Sequence, residues 1–279
     1  MASPPPPPPV PADVDPSAAS RLALRGRRAL VTGGHRGIGR AVALGLAAAG
    51  AHVAVIDRGG SRASDVPSRV RGYGVEYYAT AADLADGDAA LAAVGRVQTE
   101  FGAIDILVNN AGITELQPLV RTPAHPRPPV TAADWDAQFA VNVRAPMLLA
   151  TAVAPAMMAA RRGKVINVSS QAGTAALPLH GAYGASKAAL DHLTRTMAAE
   201  WGPYGIQANA VAPTVIASDM GDAAWPPGDP RTVAMLARIP AGRFGQAWEV
   251  ADLVVFLAGG GSDLISGQVL GVDGGYTAA

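Results

Sequence analysis

"VTGGHRGIGRA", residues 31–41, lies between a β-branched run and an alanine-rich one and reads as the turn from a strand into a helix. Its glycines, Gly33, Gly37 and Gly39, allow a tight turn and a close backbone approach to a ligand. The helix N-terminus beyond them offers unpaired N–H groups and a dipole that favours an anion. A pyrophosphate suits that cradle, with Arg36 and Ile38 in the same turn as further contacts. Asp57, 18 residues past Gly39, ends the next apolar run. A carboxylate there can accept the ribose hydroxyls of an adenosine. A glycine-rich turn without a ligand would look similar, so the rest of the chain has to decide.

Working outward, strand-like runs at 28–34, 51–58, 75–80, 104–112, 163–170, 206–213 and 267–275 alternate with helical patterns at 37–50, 88–102, 132–162, 181–202 and 247–259. Such alternation predicts an α/β fold, a doubly wound parallel sheet of seven strands, the Rossmann fold. Nothing splits the run, so 23–279 is read as one domain. The helix at 132–162 carries Pro146 and Pro155 and is expected to kink. Residues 113–131 hold five prolines and read as a surface loop, and 213–245 as a loop-rich segment. Residues 1–22 read as a proline-rich, disordered tail.

Composition excludes several classes. Net charge is zero and charged residues are 16%, which removes the electrostatic case for nucleic acid or an anionic membrane. No cysteine is present, so disulfides, thiol nucleophiles and thiolate metal sites are out, in keeping with a reducing, cytoplasmic setting. The five histidines show no metal-ligand spacing. No apolar run is expected to reach the ~20 residues of a membrane span.

In "HGAYGASKAAL" (180–190), Tyr183 stands one helical turn before Lys187, among glycine, alanine and serine. Side chains four apart share a helix face. A phenol titrates near ~10, and a close ammonium is expected to lower that value toward the range useful for acid/base work.

The wide spacing Gly33-x-x-x-Gly37-x-Gly39, "NNAG" (109–112) and Tyr183-x-x-x-Lys187 together resemble the short-chain dehydrogenase/reductase family over about residues 26–276. The resemblance implies a nicotinamide cofactor and, commonly, a homotetramer. It implies Tyr183 as acid/base, Lys187 as its partner and a holder of the nicotinamide ribose, and Ser170 as the hydroxyl that orients the reacting oxygen. Asn142 matches the asparagine that supports a relay water; without the resemblance it reads as a buried structural residue. Asp83 matches the acid beside the adenine, Asn110 lies near the cofactor ribose, and the Ile216 backbone and Ser218 match the carboxamide contacts. The family usually has glycine after the proline of that segment, where this chain has Thr214. Asp57 favours NAD over NADP, against which Arg36 and Arg58 could bind a 2′-phosphate.

Gln171, His180 and Trp225, with "PTVIASDMG" and the "RIPAGRF" run, resemble the xylulose reductase and threitol (polyol) dehydrogenase branch. That implies a short polyol or ketose as substrate, with these three residues lining its pocket. Gln171 and His180 could instead cap local backbone. A 3-oxoacyl reductase of the same family and a non-catalytic nucleotide-binding scaffold are the competing functions.

Overall fold

The run before the glycine turn is strand β1 (Arg28–Thr32), and the glycines open helix α1 (Gly37–Ala48). The structure, a computed structural model, describes residues 21–59, 64–217 and 225–278. Ser218 and residues 1–20 of the tail therefore lie outside the described residues. The strands that follow are β2 (His52–Asp57), β3 (Tyr77–Ala81), β4 (Ile106–Asn109), β5 (Gly163–Val168) and β6 (Ile206–Pro213). A short pair, β7 (Ile216–Ala217) and β8 (Gly245–Gln246), precedes the final β9 (Val269–Val272).

Seven of these strands form one parallel sheet in the order β3-β2-β1-β4-β5-β6-β9. The expected doubly wound Rossmann sheet is what the chain builds. Both faces of the strands are apolar because both are covered. Val31, Val53, Val55 and Val108 pack under α1 and α8 (Ala247–Ala258). Leu30, Ile56, Leu107 and Val165 pack under α3 (Gly87–Glu100) and α5 (Ala145–Ala159). The remaining helices are α2 (Val66–Gly72), α4 (Ala132–Phe139), α6 (Gly181–Trp201) and α7 (Pro230–Ala237). Pro67 is tolerated because it falls in the first turn of α2.

Three details differ from expectation. β1 and β4 end at Thr32 and Asn109, earlier than their apolar runs suggested, because the next residues turn out of the sheet to wall a cleft. The segment 132–162 is two helices joined by a π turn, Ala140–Arg144, in which the Ala145 N–H donates to the Ala140 carbonyl. Pro146 explains the join. It has no N–H for the carbonyl of Asn142 four residues earlier, and its ring crowds that carbonyl, so the helix widens by a residue just before it. Finally, Ala132–Ala159 is long and apolar enough to match a membrane span by length and composition, with mean hydropathy 1.3. Its apolar residues Leu149, Val153 and Met157 are spent on the sheet.

Order along the sheet reverses between β1 and β4, so the connections leaving these strands diverge and open a crevice at their C-terminal ends. Gly39 keeps that crevice narrow at its base: a β-carbon there would collide with the Gly33 carbonyl oxygen and the Asn110 amide. Gly39→Ala should therefore cost about 1–3 kcal/mol of stability, since the Gly33 carbonyl is main chain and the Asn110 side-chain amide is bonded to it. A thermal melt of the purified variant checks this.

Candidate active site

At the crevice a cleft of about 440 Å³ runs from the glycine turn to Tyr183 and Lys187. Gly33 and Gly37 adopt left-handed φ values of 65° and 51°, which let the chain double back before α1. The Arg36 side chain does not cap the α1 N-terminus and the first turn holds no acid, so N–H groups there are open to a ligand. Arg36, Ile38, Asp57, Arg58 and Asp83 line the same end.

Asn110 belongs to the scaffold of this turn. Its Nδ2 donates to the carbonyls of Thr32 (2.9 Å) and Gly33 (3.2 Å). The Thr32 hydroxyl in return accepts the N–H groups of Asn110 (3.0 Å) and Ala111 (2.9 Å).

The reacting end lies on β5, its following turn, and α6. Ser170 caps that turn, accepting from the Ala172 N–H at 3.2 Å, and its hydroxyl is hydrogen-bonded with the Tyr183 phenol. Lys187 is 4% exposed; its Nζ donates to the Val168 carbonyl at 2.7 Å and lies 5.7 Å from the centre of the Tyr183 ring. Burial pushes the Tyr183 phenol above its ordinary range, and only the Ser170 bond pulls it down. The expected lowering by Lys187 is therefore absent in this geometry. The ammonium is itself desolvated and engaged with a carbonyl, and burial brings it down to about 8 against a smaller opposing effect from Asp191.

Asn142 is fully buried and does not reach the cleft. Its carboxamide grips Ile113, accepting from the Ile113 N–H and donating to its carbonyl, both at 2.9 Å, and donates to Ser186 at 3.0 Å. The side chain is a clamp on the segment that follows "NNAG".

Gln171, His180, Trp225 and Ile216 all line the reacting end, and Thr114 and Thr214 join them. The buried Oε1 of Gln171 and hydroxyls of Thr114 and Thr214 have no hydrogen-bond partner among the described residues. Burial lowers the His180 pKa, so the ring is neutral at pH 7. Its Nδ1 lies 2.8 Å from the Pro178 carbonyl. A carbonyl only accepts, so Nδ1 carries the proton and Nε2 is left as an acceptor. Next to it, Leu179 holds a left-handed φ of 68°. The Gln117 N–H donates to the Leu179 carbonyl at 3.0 Å, tying the proline-rich 113–131 segment to this corner.

A sequence model described as Enoyl-(Acyl carrier protein) reductase matches residues 33–277. The chain belongs to the short-chain dehydrogenase/reductase family. It is 39% identical to D-threitol dehydrogenase of Mycolicibacterium smegmatis over 91% of this chain and 94% of that one. It is 43% identical to L-xylulose reductase of Bos taurus, over 92% and 99%. Among solved structures, a gluconate 5-dehydrogenase from Burkholderia cenocepacia, in complex with NADP and tartrate, superposes with TM-score 0.85 at 40% identity, covering 94% of this chain and 100% of that one. As a member of this family the chain is an oxidoreductase acting on alcohol or ketone groups, and the family's cofactors are NAD(P).

The cradle fits such a cofactor: glycines in left-handed conformations, an uncapped helix N-terminus and a carboxylate at the end of β2. Sequence reasoning missed Thr32 and Thr114, and noted Thr214 only as a replacement for glycine. A lone threonine has no spacing signature, and its place becomes visible only once it is seen bridging two strands or lining the cleft.

Two outcomes follow from the geometry. Tyr183→Phe should abolish turnover while leaving the melting temperature close to that of the parent, because only the hydroxyl expected to carry the proton is lost. Lys187 gives up its proton at about pH 8 when folded, against 10.5 ordinarily, so the unfolded chain holds more protons in that window. Its contribution makes the cofactor-free protein more stable as pH rises from about 8 to 10.5, and Lys187→Met should flatten that limb in melts taken across pH.

Proposed function

We propose that this enzyme interconverts a short neutral polyol, of about four or five carbons, and its ketose, with NAD as cofactor. The observation that carries this reading is the neutral polar lining of the reacting end, where Gln171, Thr114 and Thr214 stand beside the acceptor nitrogen of His180. A chain of hydroxyl groups can exchange hydrogen bonds with such a lining. Among the described residues lining this end, Lys187 is the sole cation; Arg36 and Arg58 stand at the glycine turn, and Glu115 sits at the rim. With Lys187 engaged by the Val168 carbonyl, no other described residue there can pair with a substrate carboxylate, which argues for a neutral polyol over a sugar acid. The names of the threitol dehydrogenase and xylulose reductase relatives support the same class.

On this reading the glycine turn, Asp57 and Asp83 hold the adenosine half of the cofactor, and Ile216, Ser218 and Lys187 the nicotinamide half. Bound there, the oxidised cofactor supplies a hydride acceptor and a positive charge near the phenol. The chain's own groups do the rest. Ser170 orients the reacting oxygen by hydrogen bonding, and Tyr183 Oη takes its proton in oxidation and returns it in reduction. Asn142, through its grip on Ile113, keeps the wall beside Lys187 in place. Gln171 and His180 bond the hydroxyls next to the reacting carbon, and Trp225 covers the chain.

Asp57 favours NAD because a carboxylate accepts two ribose hydroxyls and repels a 2′-phosphate. We also read the enzyme as a cytoplasmic homotetramer, with the half-exposed Trp135, stacked on Phe139 at 4.8 Å, in a contact face; gel filtration with light scattering tests the assembly.

The decisive experiment is a panel of C4 to C6 polyols, aldonates and an acyl thioester, each with NAD and NADP. Efficient oxidation of a tetritol or pentitol is expected, with poor turnover of the rest; preference for gluconate or for the thioester would refute the reading. His180→Ala should lower efficiency on the polyol roughly ten- to a hundredfold while sparing a hydroxyl-poor ketone, since one buried partner is lost. Equal losses on both would make His180 a structural residue.

A further inference from the structure

Behind the ribose end of the cleft lies a half-buried cluster that ties Asp57 to two residues with no part in the chemistry above. His35 follows β1, Asp57 ends β2 and Tyr77 begins β3, so three adjacent strands bring them together. His35 Nδ1 is 3.2 Å from Asp57 Oδ2, and its Nε2 is 2.6 Å from the Tyr77 hydroxyl. A carboxylate oxygen accepts, so Nδ1 carries a proton toward Asp57; in that tautomer Nε2 accepts from the Tyr77 O–H. Burial pushes the Tyr77 phenol up to about 12, so it stays a donor, with the Arg71 guanidinium 5.5 Å from its ring centre.

The loop that carries the imidazole is itself pinned. A β-carbon on Gly34 would come within 2.7 Å of Val55, and the Ser64 hydroxyl donates to the His35 carbonyl at 3.2 Å. The His35 side chain is only 9% exposed, against 24% for Asp57. His35 is turned away from solvent while Asp57 faces the cleft.

We propose that His35 is the positioning residue for Asp57 and thereby a determinant of cofactor choice. The proposal rests on reading Asp57 as the ribose acceptor. Oδ1 of Asp57 accepts the Arg58 N–H at 2.8 Å, and His35 holds Oδ2. One bond on each oxygen fixes the plane of the carboxylate, and each oxygen keeps lone pairs for a ribose hydroxyl. Without His35 the group keeps a single anchor and can rotate. A ribose with both hydroxyls free then meets a carboxylate that must first be ordered. A ribose bearing a 2′-phosphate, which Arg36 and Arg58 can pair, meets one that can turn aside. NAD binding is weakened while NADP binding is not, and a role confined to loop stability does not produce that.

The test is calorimetric binding of NAD and of NADP to the cofactor-free protein, for wild type, His35→Ala, Asp57→Ala and the double variant. His35→Ala should weaken NAD about tenfold, the worth of one hydrogen bond to a charged group, and leave NADP unchanged or tighter. The double variant should bind NAD no more weakly than Asp57→Ala alone, because His35 acts through that carboxylate. Turnover at saturating NAD should be unchanged in His35→Ala. Tyr77→Phe, which leaves the loop intact, should shift the NAD:NADP ratio the same way by a smaller factor, and it carries the test if His35→Ala does not fold. Parallel losses for the two cofactors, additive losses in the double variant, or an unshifted ratio in Tyr77→Phe would overturn the proposal. Tighter wild-type binding of NADP would instead refute the NAD reading, and the double-variant comparison would still report whether His35 works through Asp57.

Discussion

A hydrogen-bonded junction between the ends of β1 and β4 holds the whole site together. The Thr32 hydroxyl takes two backbone N–H groups from the neighbouring strand's exit, and Asn110 returns its amide to the Thr32 and Gly33 carbonyls. Parallel strands bond each other only as far as the ladder runs; past their ends the backbone groups must find other partners or face water. Here they find each other. The glycine turn is thereby welded to the "NNAG" turn, and α1 closes on both through Gly39. Everything on the phosphate side takes its position from this junction, and the Ile113 segment beyond it carries the wall beside Lys187.

The reacting side is built on a second economy, that of burying a charge. Lys187 has left water, and its ammonium is held by the Val168 carbonyl with Asp191 one turn further along α6. Asp191 is itself raised by burial and held by Ser169. Such an arrangement favours neither ion on its own. It makes the protonation of the phenol depend on what else enters the cleft, so the state of Tyr183 is set by its ligands rather than fixed by the apoprotein.

Much of this was readable in the sequence because the readable parts are periodic or conformationally unusual. Strands buried on both faces leave apolar runs, helices leave a 3.6-residue rhythm, and glycines mark where the chain must turn left-handed. Tyr183 and Lys187 share a helix face by arithmetic alone. The π turn escaped because its cause, the missing N–H of Pro146, predicts a defect without saying which. The direction of the Tyr183 shift escaped because a pattern gives proximity but not solvation, and burial outweighed the nearby charge. The tie between His35 and Asp57 escaped because it joins residues 22 apart whose meeting depends on the strand order.

Leu179 carries a consequence for how this site changes over time. A leucine in the left-handed region costs roughly 1–2 kcal/mol, and the chain accepts this at the corner that aims the His180 imidazole. The corner is held from outside the cleft, by the main chain at Gln117 and by Leu119 lying against Gly181. Any replacement in that outer segment that loosens its grip lets the corner relax and moves the imidazole, though no residue lining the cleft has been altered. The shape of this corner can thus diverge among close relatives through a stretch outside the cleft, and comparing only the walls of their pockets would miss the cause.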